Sequence, residues 1–189
     1  MIFAMRKNSV AMLLAACLGL GLAIAPFAIG EVQAKTSRGQ SKSAGGGKLV
    51  ATHGAWGVYV ASAGTRTCYA AAQPGKREPA RLKRDPGYFL ISTRPRQGVR
   101  NEIAVIVGFS AKAGTEPEVH IGSAKFAMVA DGGNLWIKNA AEEGAMLGAM
   151  RKGSSMTVHV TSGRGNKTVD HYSLSGITQA LARAQKECK

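Results

Sequence analysis

YFLISTRPRQGVRNEIAVIVGF is the sequence of residues 88–109. It contains two short apolar runs rich in aromatic and β-branched residues, YFLIST at 88–93 and EIAVIVGF at 102–109, which are typical of strands. The residues between the runs include Pro95 and Gly98, which favour a turn. The stretch therefore predicts two strands joined by a turn, and the same pattern recurs along the rest of the chain.

Seven further runs have apolar residues at every second position or in short blocks bounded by Gly, Pro, Asn and Asp. They are WGVYVA (56–61), TCYAAA (67–72), EVHI (118–121), KFAMVA (125–130), LWIKN (135–139), MTVHV (156–160) and TVDHYSL (168–174). Nine short strands joined by turns predict a mainly β protein, built as an antiparallel sandwich or barrel. A parallel sheet is not expected, because its strands need long crossover connections.

Two segments interrupt the strand pattern and predict short helices. Asn139 can cap the segment AAEEGAMLGAMRK, and Gly153 ends it. The predicted buried stripe of this helix is Met146, Leu147 and Met150. The second helix follows Ser175-Gly176 and has one apolar face. That face comprises Ile177, Leu181, Ala184 and Cys188.

The amino-terminal segment has the three parts of a secretory signal peptide. Arg6 and Lys7 give it a positive start, and residues 10–24 form an uncharged apolar run. Pro26 ends the predicted helix of this run, and small residues lead up to Ala34. We therefore predict cleavage after Ala34 and a periplasmic or secreted product.

Two alternatives to cleavage of residues 1–34 stay open. The uncharged stretch continues to Gly30 and is nearly long enough for an uncleaved membrane anchor. The sequence LAAC at 14–17 fits the short pattern for lipid attachment at Cys17, which would tether the product to a membrane.

Residues 35–48, KTSRGQSKSAGGGK, form a basic leader rich in Gly and Ser. They contain no large apolar side chain and are not expected to contribute to a core. Residues 49–189 are predicted to form one domain, because their length suits a single core and they contain no internal repeat.

The chain is strongly basic, with 25 Lys and Arg against 11 Asp and Glu and a formal net charge of +14. Loss of Arg6, Lys7 and Glu31 with the signal peptide leaves 23 basic and 10 acidic residues, a charge of +13. Such a protein is attracted to anionic surfaces. For an exported protein, lipopolysaccharide, acidic lipid and acidic glycans are more accessible than nucleic acid. The alternative is that the charge mainly confers solubility.

Two cysteines, Cys68 and Cys188, remain after removal of the signal peptide. An even pair in an oxidising compartment predicts a disulfide, and the helix pattern directs Cys188 toward the core. Two separate buried thiols are the alternative.

The four histidines, His53, His120, His159 and His171, lack the spacing of a zinc site, and we expect neither a metal nor a cofactor. If residue sums near 329 define the register of the hairpin around SGRGNK, His159 faces Asp170 across it. We interpret that pair as an exposed cross-strand contact.

The sequence contains no G-x-S-x-G or S-x-x-K motif and no catalytic cysteine signature. Carboxylate pairs need not be neighbours in the chain, so a small periplasmic hydrolase or carbohydrate-active enzyme remains the alternative to a non-enzymatic protein.

Basic residues concentrate in two clusters on either side of the strand predicted at 88–93. The first basic cluster comprises Lys76, Arg77, Arg81, Lys83 and Arg84. The second basic cluster comprises Arg94, Arg96 and Arg100. If the strands at 88–93 and 102–109 pair, the clusters lie at opposite ends of one strand. Arginine suits phosphate and carboxylate groups, so both clusters are candidate polyanion-binding sites, with solvated loops as the alternative.

No aromatic RNA-binding motif, helix-turn-helix signal or zinc finger accompanies these charges, so a specific nucleic-acid partner is not expected. An exported protein that binds nucleic acid through charge alone is a third hypothesis.

Eight segments together resemble the invasion-associated locus B family. In order over residues 55–188, they are WGVYVA, RTCYAAAQP, RDPGYFLISTRP, GVRNEIAVIVGF, WIKNAAEE, AMRKGSSMTV, SGRGNKTVDHYSL and ITQALARAQKEC. The resemblance implies an immunoglobulin-like β-sandwich exported to the envelope of an alphaproteobacterium. It implies host-cell entry in some pathogens and no catalytic residue. The segment KREPARLKRD and the glycine-rich leader depart from the family.

These observations favour a non-enzymatic envelope protein that acts through its surface. The expected partner is another envelope component or a host-cell structure, and an anionic one such as lipopolysaccharide, acidic lipid or glycan fits the charge. The sequence leaves the oligomeric state open.

Overall fold

Short apolar runs bounded by turns fold as strands in the computed structural model, which describes residues 46–189. The expected signal peptide and most of the expected leader lie outside these described residues. The strands are β1 (Lys48–His53), β2 (Trp56–Ala61), β3 (Thr67–Ala72), β4 (Lys76–Glu78), β5 (Tyr88–Arg94), β6 (Val99–Ile106), β7 (Glu118–Ile121), β8 (Ala124–Asp131), β9 (Asn134–Ile137), β10 (Ser155–Thr161) and β11 (Lys167–Ser173).

All nine predicted strands are present, with boundaries that differ by three residues or fewer. Two strands were not predicted. β1 begins at Lys48, inside the expected leader, and β4 consists of Lys-Arg-Glu, which has no apolar residue to mark it. Both are edge strands, each paired on one side only. The apolar residues of β1, Leu49, Val50 and Ala51, follow one another without the alternation that marks a strand.

The strands form two antiparallel sheets that share β8. The larger sheet has the order β1-β2-β3-β5-β6-β9-β8, and the smaller sheet has the order β8-β7-β10-β11-β4. Residues 124–127 of β8 pair with β7, whereas residues 128–131 pair with β9. The predicted mainly β fold, an antiparallel β-sandwich with two short helices, is confirmed.

The core lies between the inner faces of the two sheets. Its largest side chains include Trp56, Phe89 and Tyr172, which are at most 1% exposed. The Phe89 ring contacts both others edge to face, with ring centroids 6.1 Å from Trp56 and 5.8 Å from Tyr172. Because Trp56 and Phe89 belong to the larger sheet and Tyr172 to the smaller one, these contacts join the two layers.

Both predicted helices are present. Residues Ala140–Glu142 form a single 3-10 turn, and α1 (Glu143–Lys152) continues from it. The Asn139 side chain accepts a hydrogen bond from the Ala141 amide, which confirms the predicted cap. Helix α2 (Ile177–Glu187) is the second. The buried residues of α1 are Met146, Leu147 and Met150, as predicted.

The predicted register of the β10–β11 hairpin is wrong by one residue. Val158 pairs with Asp170, and His159 pairs with Val169. Because adjacent residues of a strand point to opposite faces, the shift sends Asp170 inward and His159 outward. The predicted contact between His159 and Asp170 is therefore absent, and the Asp170 carboxylate points into the protein.

Candidate anion-binding site

Cys68 and Cys188 form a disulfide bond, with an S–S distance of 2.07 Å and a Cα–Cα distance of 5.8 Å. The two residues are separated by 120 positions in the sequence. Cys68 lies on the inner face of β3, so the bridge holds the end of α2 against the core side of the larger sheet. The alternative of two separate buried thiols is thereby excluded.

Asp170 organises part of the first basic cluster. It is only 3% exposed, and its two carboxylate oxygens bind two different arginines. Arg77 donates to Oδ2 through Nε over 3.0 Å, and its Nη2 lies 2.9 Å from the same oxygen. Arg84 donates to Oδ1 through Nη1 over 3.0 Å. A buried carboxylate with charge-assisted hydrogen bonds on both oxygens is a strong anchor for the two segments that supply the arginines.

Strand pairing explains why Arg77 reaches this position. β4 pairs with β11 so that Arg77 lies directly opposite Asp170. The rest of the guanidinium group binds backbone, with 2.7 Å from Nη1 to the Asp85 oxygen and 2.7 Å from Nη2 to the Val107 oxygen. Arg77 and Arg84 are therefore better described as structural residues than as ligands for an external polyanion.

The other three members of the first basic cluster are exposed. Lys76 forms an ion pair with Glu78 on the same strand. Arg81 and Lys83 have no ion pair with a carboxylate within residues 46–189. These two side chains carry the charge that this cluster offers to solvent.

A cavity of about 360 Å³ opens beside Lys83 and Arg84. Polar side chains share its wall with Leu82 and Phe109, and no carboxylate is among its lining residues. The full lining is Leu82, Lys83, Arg84, Phe109, Ser110, Ser162, Gly163, Arg164, Asn166 and Thr168. We call it the basic pocket. Lys83 and Arg164, together with hydroxyl and amide donors around the opening, suit a phosphate or carboxylate group.

Two backbone contacts assemble the basic pocket from distant parts of the chain. The Gly163 amide donates to the Ser110 oxygen over 2.8 Å, and the Lys112 amide donates to the Thr161 oxygen over 2.8 Å. They bring the segment after β6 against the turn between β10 and β11. Arg164, in that turn, was missed as a site residue because the sequence SGRGNK marks only a turn.

The second basic cluster lies at the far end of β5, as predicted. β5 pairs with β6 from Tyr88 opposite Ile106 to Arg94 opposite Val99. Arg94 donates to Glu102 over 2.8 Å, whereas Arg96 and Arg100 are exposed and have no ion pair within residues 46–189. The two clusters therefore cannot act as one patch.

A protein-family model described as "Invasion associated locus B (IalB) protein" matches residues 56–185. The chain belongs to the invasion associated locus B family. Proteins of this family are associated with the cell envelope. The matched region contains the basic pocket and both basic clusters, and it ends three residues before Cys188.

A solved structure has the same fold as this chain. The crystal structure of invasion associated protein b from Bartonella henselae superposes with a TM-score of 0.52 at 14% sequence identity. The match covers 74% of this chain and 97% of the other. No curated protein sequence matches this chain.

Two of the four histidines of this family member lie side by side. Within residues 46–189, no group of three or more His, Cys, Asp and Glu side chains is arranged to hold a metal ion. His120 and His159 stack on the outer face of the smaller sheet with ring centroids 4.1 Å apart. Burial, followed by the charge of His120, lowers the pKa of His159 below its ordinary value of 6.5. A hydrogen bond with His120 lowers the pKa of Glu118.

A further cavity, of about 230 Å³, is lined by side chains of the types that a hydrolase would need. Its lining includes Glu116, Glu118 and His159. Glu116 is bound to Lys138, and Glu118 lies 2.9 Å from Nε2 of His120. Both carboxylates are thus engaged by cations or imidazole rather than facing a shared catalytic position.

No helix within residues 46–189 is long and apolar enough to cross a membrane. The alternatives of an uncleaved anchor and of lipid attachment at Cys17 concern residues outside the described part of the chain.

Proposed function

We propose that this protein is an exported, non-enzymatic envelope protein that binds an anionic partner through the basic pocket. The main support for the proposal is that some basic residues of this region are paired with Asp170 and others have no acidic partner. Arg77 and Arg84 neutralise that buried carboxylate, whereas Lys83 and Arg164 have no ion pair within residues 46–189. The exposed cations therefore keep their full charge for a ligand.

The chemistry of the pocket favours phosphate or carboxylate groups on a larger envelope molecule. Lys83 and Arg164 supply positive charge at the opening, and Phe109 supplies an apolar wall. Lipopolysaccharide, an acidic glycan and the anionic headgroup of a lipid all combine such groups with less polar parts. The similar solved structure is that of invasion associated protein b from Bartonella henselae. Its name supports a host-cell structure as the partner if the present protein comes from a pathogen.

Periplasmic or secreted localisation is part of the proposal. It rests on the predicted signal peptide at residues 1–34 and on the disulfide between Cys68 and Cys188. Disulfides persist in oxidising compartments, which for a bacterium are the periplasm and the exterior.

Binding to heparin and to purified lipopolysaccharide tests the pocket. The exported protein is compared with the double variant Lys83→Gln, Arg164→Gln over a series of salt concentrations. We expect the variant to lose about tenfold in affinity at low salt, and the difference to shrink as salt rises. Affinity that is independent of salt, or equal in both proteins, would overturn the proposal.

A matched control distinguishes binding at the basic pocket from attraction by the net charge of the whole protein. The double variant Arg96→Gln, Arg100→Gln also removes two exposed cations, at the other end of β5. It should retain most of the affinity for heparin if the pocket is the binding site. Equal losses in both variants, together with equal retention on DNA, would show attraction by net charge alone.

A further inference from the structure

A row of apolar residues crosses the outer face of the larger sheet. Cross-strand pairing joins the members of this row from β2 to β8, one residue on each strand. In spatial order they are Gly57, Ala71, Leu90, Ala104, Trp136 and Val129. Trp136 lies between Leu135 and Ile137, which are buried in the core, so alternation directs its side chain to the opposite face.

The neighbouring rows extend this apolar surface. On one side, Tyr88 pairs with Ile106. On the other side, the rings of Tyr59 and Tyr69 stack with centroids 5.1 Å apart. Val129 is 45% exposed, although most exposed strand positions in a monomeric protein are polar. We call these rows together the apolar face.

Neither helix covers the apolar face. Cys68 and Tyr69 are neighbours on β3, so their side chains point to opposite sides of the sheet. The disulfide holds α2 on the side of Cys68, which is the core side. The buried residues of α1 likewise belong to the core.

One end of the apolar face is basic. Lys48 pairs with Val60, Val60 with Cys68, and Cys68 with Thr93, so Lys48 and the second basic cluster lie at the same end of the larger sheet. Lys48, Arg96 and Arg100 are exposed there. The only acid of the neighbouring β6 strand, Glu102, is already bound to Arg94.

The basic leader joins the fold at this same end. The Gly47 amide donates to the Tyr69 hydroxyl over 3.2 Å, which places the chain against the edge of the apolar face. The residues that precede it in the sequence include Lys35, Arg38 and Lys42 and, after the predicted cleavage site, no acid. Lys48, the residue that follows Gly47, therefore adds an exposed positive charge at this edge.

We propose that the apolar face binds the surface of an anionic lipid bilayer. Leu90, Val129 and Trp136 enter the interfacial region. Lys48, Arg96 and Arg100, at the basic end, contact the headgroups. A single weak apolar contact or a small basic patch binds membranes poorly, whereas the two together give stable association. Tryptophan and tyrosine rings also favour the membrane interface.

The net charge favours a bilayer over a second copy of the chain as the partner that binds the apolar face. With a formal charge of +14, two copies repel each other, whereas an anionic surface attracts the protein. This surface is separate from the basic pocket, which lies at the other end of β5, so either proposal can fail without the other.

The two tryptophans allow a direct test. Trp56 is fully buried, and its indole N–H donates to the Ser173 oxygen over 3.0 Å, so it is shielded from lipid. Trp136 lies on the apolar face. Vesicles of brominated phosphatidylglycerol mixed with phosphatidylcholine should therefore quench the Trp136 part of the fluorescence and leave the Trp56 part. Trp136→Phe should abolish the quenching, and pure phosphatidylcholine vesicles should cause little.

Leu90→Glu should lower partitioning into the anionic vesicles by about tenfold or more. Val129→Glu, at a more exposed position, gives the same test if the first variant folds poorly. Gln179→Glu on the exposed side of α2 adds the same charge elsewhere and should bind vesicles like the parent. Heparin binding, measured in parallel, should be unchanged by Leu90→Glu.

Three results would overturn the proposal. They are absence of vesicle binding by the parent, unchanged binding of both glutamate variants, and a concentration-dependent dimer in sedimentation that Leu90→Glu dissociates. The last result would assign the apolar face to a second copy of the chain.

Discussion

Arg77 on β4 lies opposite Asp170 on β11, and its Nε donates to the carboxylate over 3.0 Å. This contact attaches the edge strand to the smaller sheet. Arg84 binds the second oxygen of the same carboxylate, so the loop between β4 and β5 is held at both ends. Lys83, beside Arg84, is thereby placed at the mouth of the basic pocket.

Asp170→Asn should destabilise the protein by about 3 to 5 kcal/mol, because it leaves two largely buried guanidinium groups without a counter-charge. Urea unfolding followed by circular dichroism measures the loss. Glu102→Gln is the matched control, since it breaks the partly exposed pair with Arg94 and should cost less than about 1 kcal/mol. Equal effects of the two substitutions would contradict the anchoring role of Asp170.

The disulfide should contribute strongly to stability. It closes a loop between residues 120 positions apart, which limits the conformations of the unfolded chain. The double variant Cys68→Ser, Cys188→Ser should lose up to about 4 to 5 kcal/mol of unfolding free energy. The parent treated with reductant should show the same loss, and reductant should not affect the double variant. A parent whose stability is insensitive to reductant would contradict this expectation.

Gly108→Ala should be more damaging than Gly114→Ala. Both glycines have a positive φ, +71° and +73°, so each substitution carries a backbone cost of about 1 kcal/mol. A Cβ at position 114 would meet no atom within 4 Å, whereas at position 108 it would overlap the backbone oxygen of Asp85. We expect Gly108→Ala to cost at least about 2 kcal/mol more. It should also weaken heparin binding, because the Asp85 amide bonds to Gly108 beside the basic pocket. Thermal unfolding of both variants measures which of the two is less stable.

His159 should make the protein less stable in mild acid. Its pKa is lowered in the folded state from the ordinary 6.5, so the unfolded chain takes up this proton at higher pH than the folded one. Stability is therefore lost as the pH falls through 6.5, and the loss ends below the folded pKa. In His159→Gln, the difference in unfolding free energy between about pH 7.5 and about pH 5.5 should shrink. A titration by nuclear magnetic resonance that shows His159 with a pKa above 6.5 would contradict the prediction.

Strand positions could be predicted because inward-facing residues repeat with period two. Val158 and Val160 illustrate this, since each is buried and separated from the next by a polar residue. β4 could not be predicted, because Lys76 and Glu78 face water and Arg77 has a polar role inside. Burial of an arginine against Asp170 depends on a partner 93 residues away, which no local pattern reveals.

The candidate site was predictable only in part. Lys83 belongs to a basic cluster that is plain in the sequence. Arg164 stands alone in a turn, and its relation to Lys83 arises from the contact between Ser110 and Gly163. The register of the β10–β11 hairpin was missed by one residue, which reversed the directions of His159 and Asp170.

The sequence by itself determined the antiparallel strands, the two helices and the family, because period-two and helical patterns and ordered motifs are local properties of the chain. Only the tertiary structure decided which cations are free. Arg77 and Lys83 look alike in the sequence, and strand register places Arg77 against a buried carboxylate and Lys83 at the rim of a pocket. The charge that a residue offers to a ligand depends on its neighbours in space, and those neighbours come from distant segments.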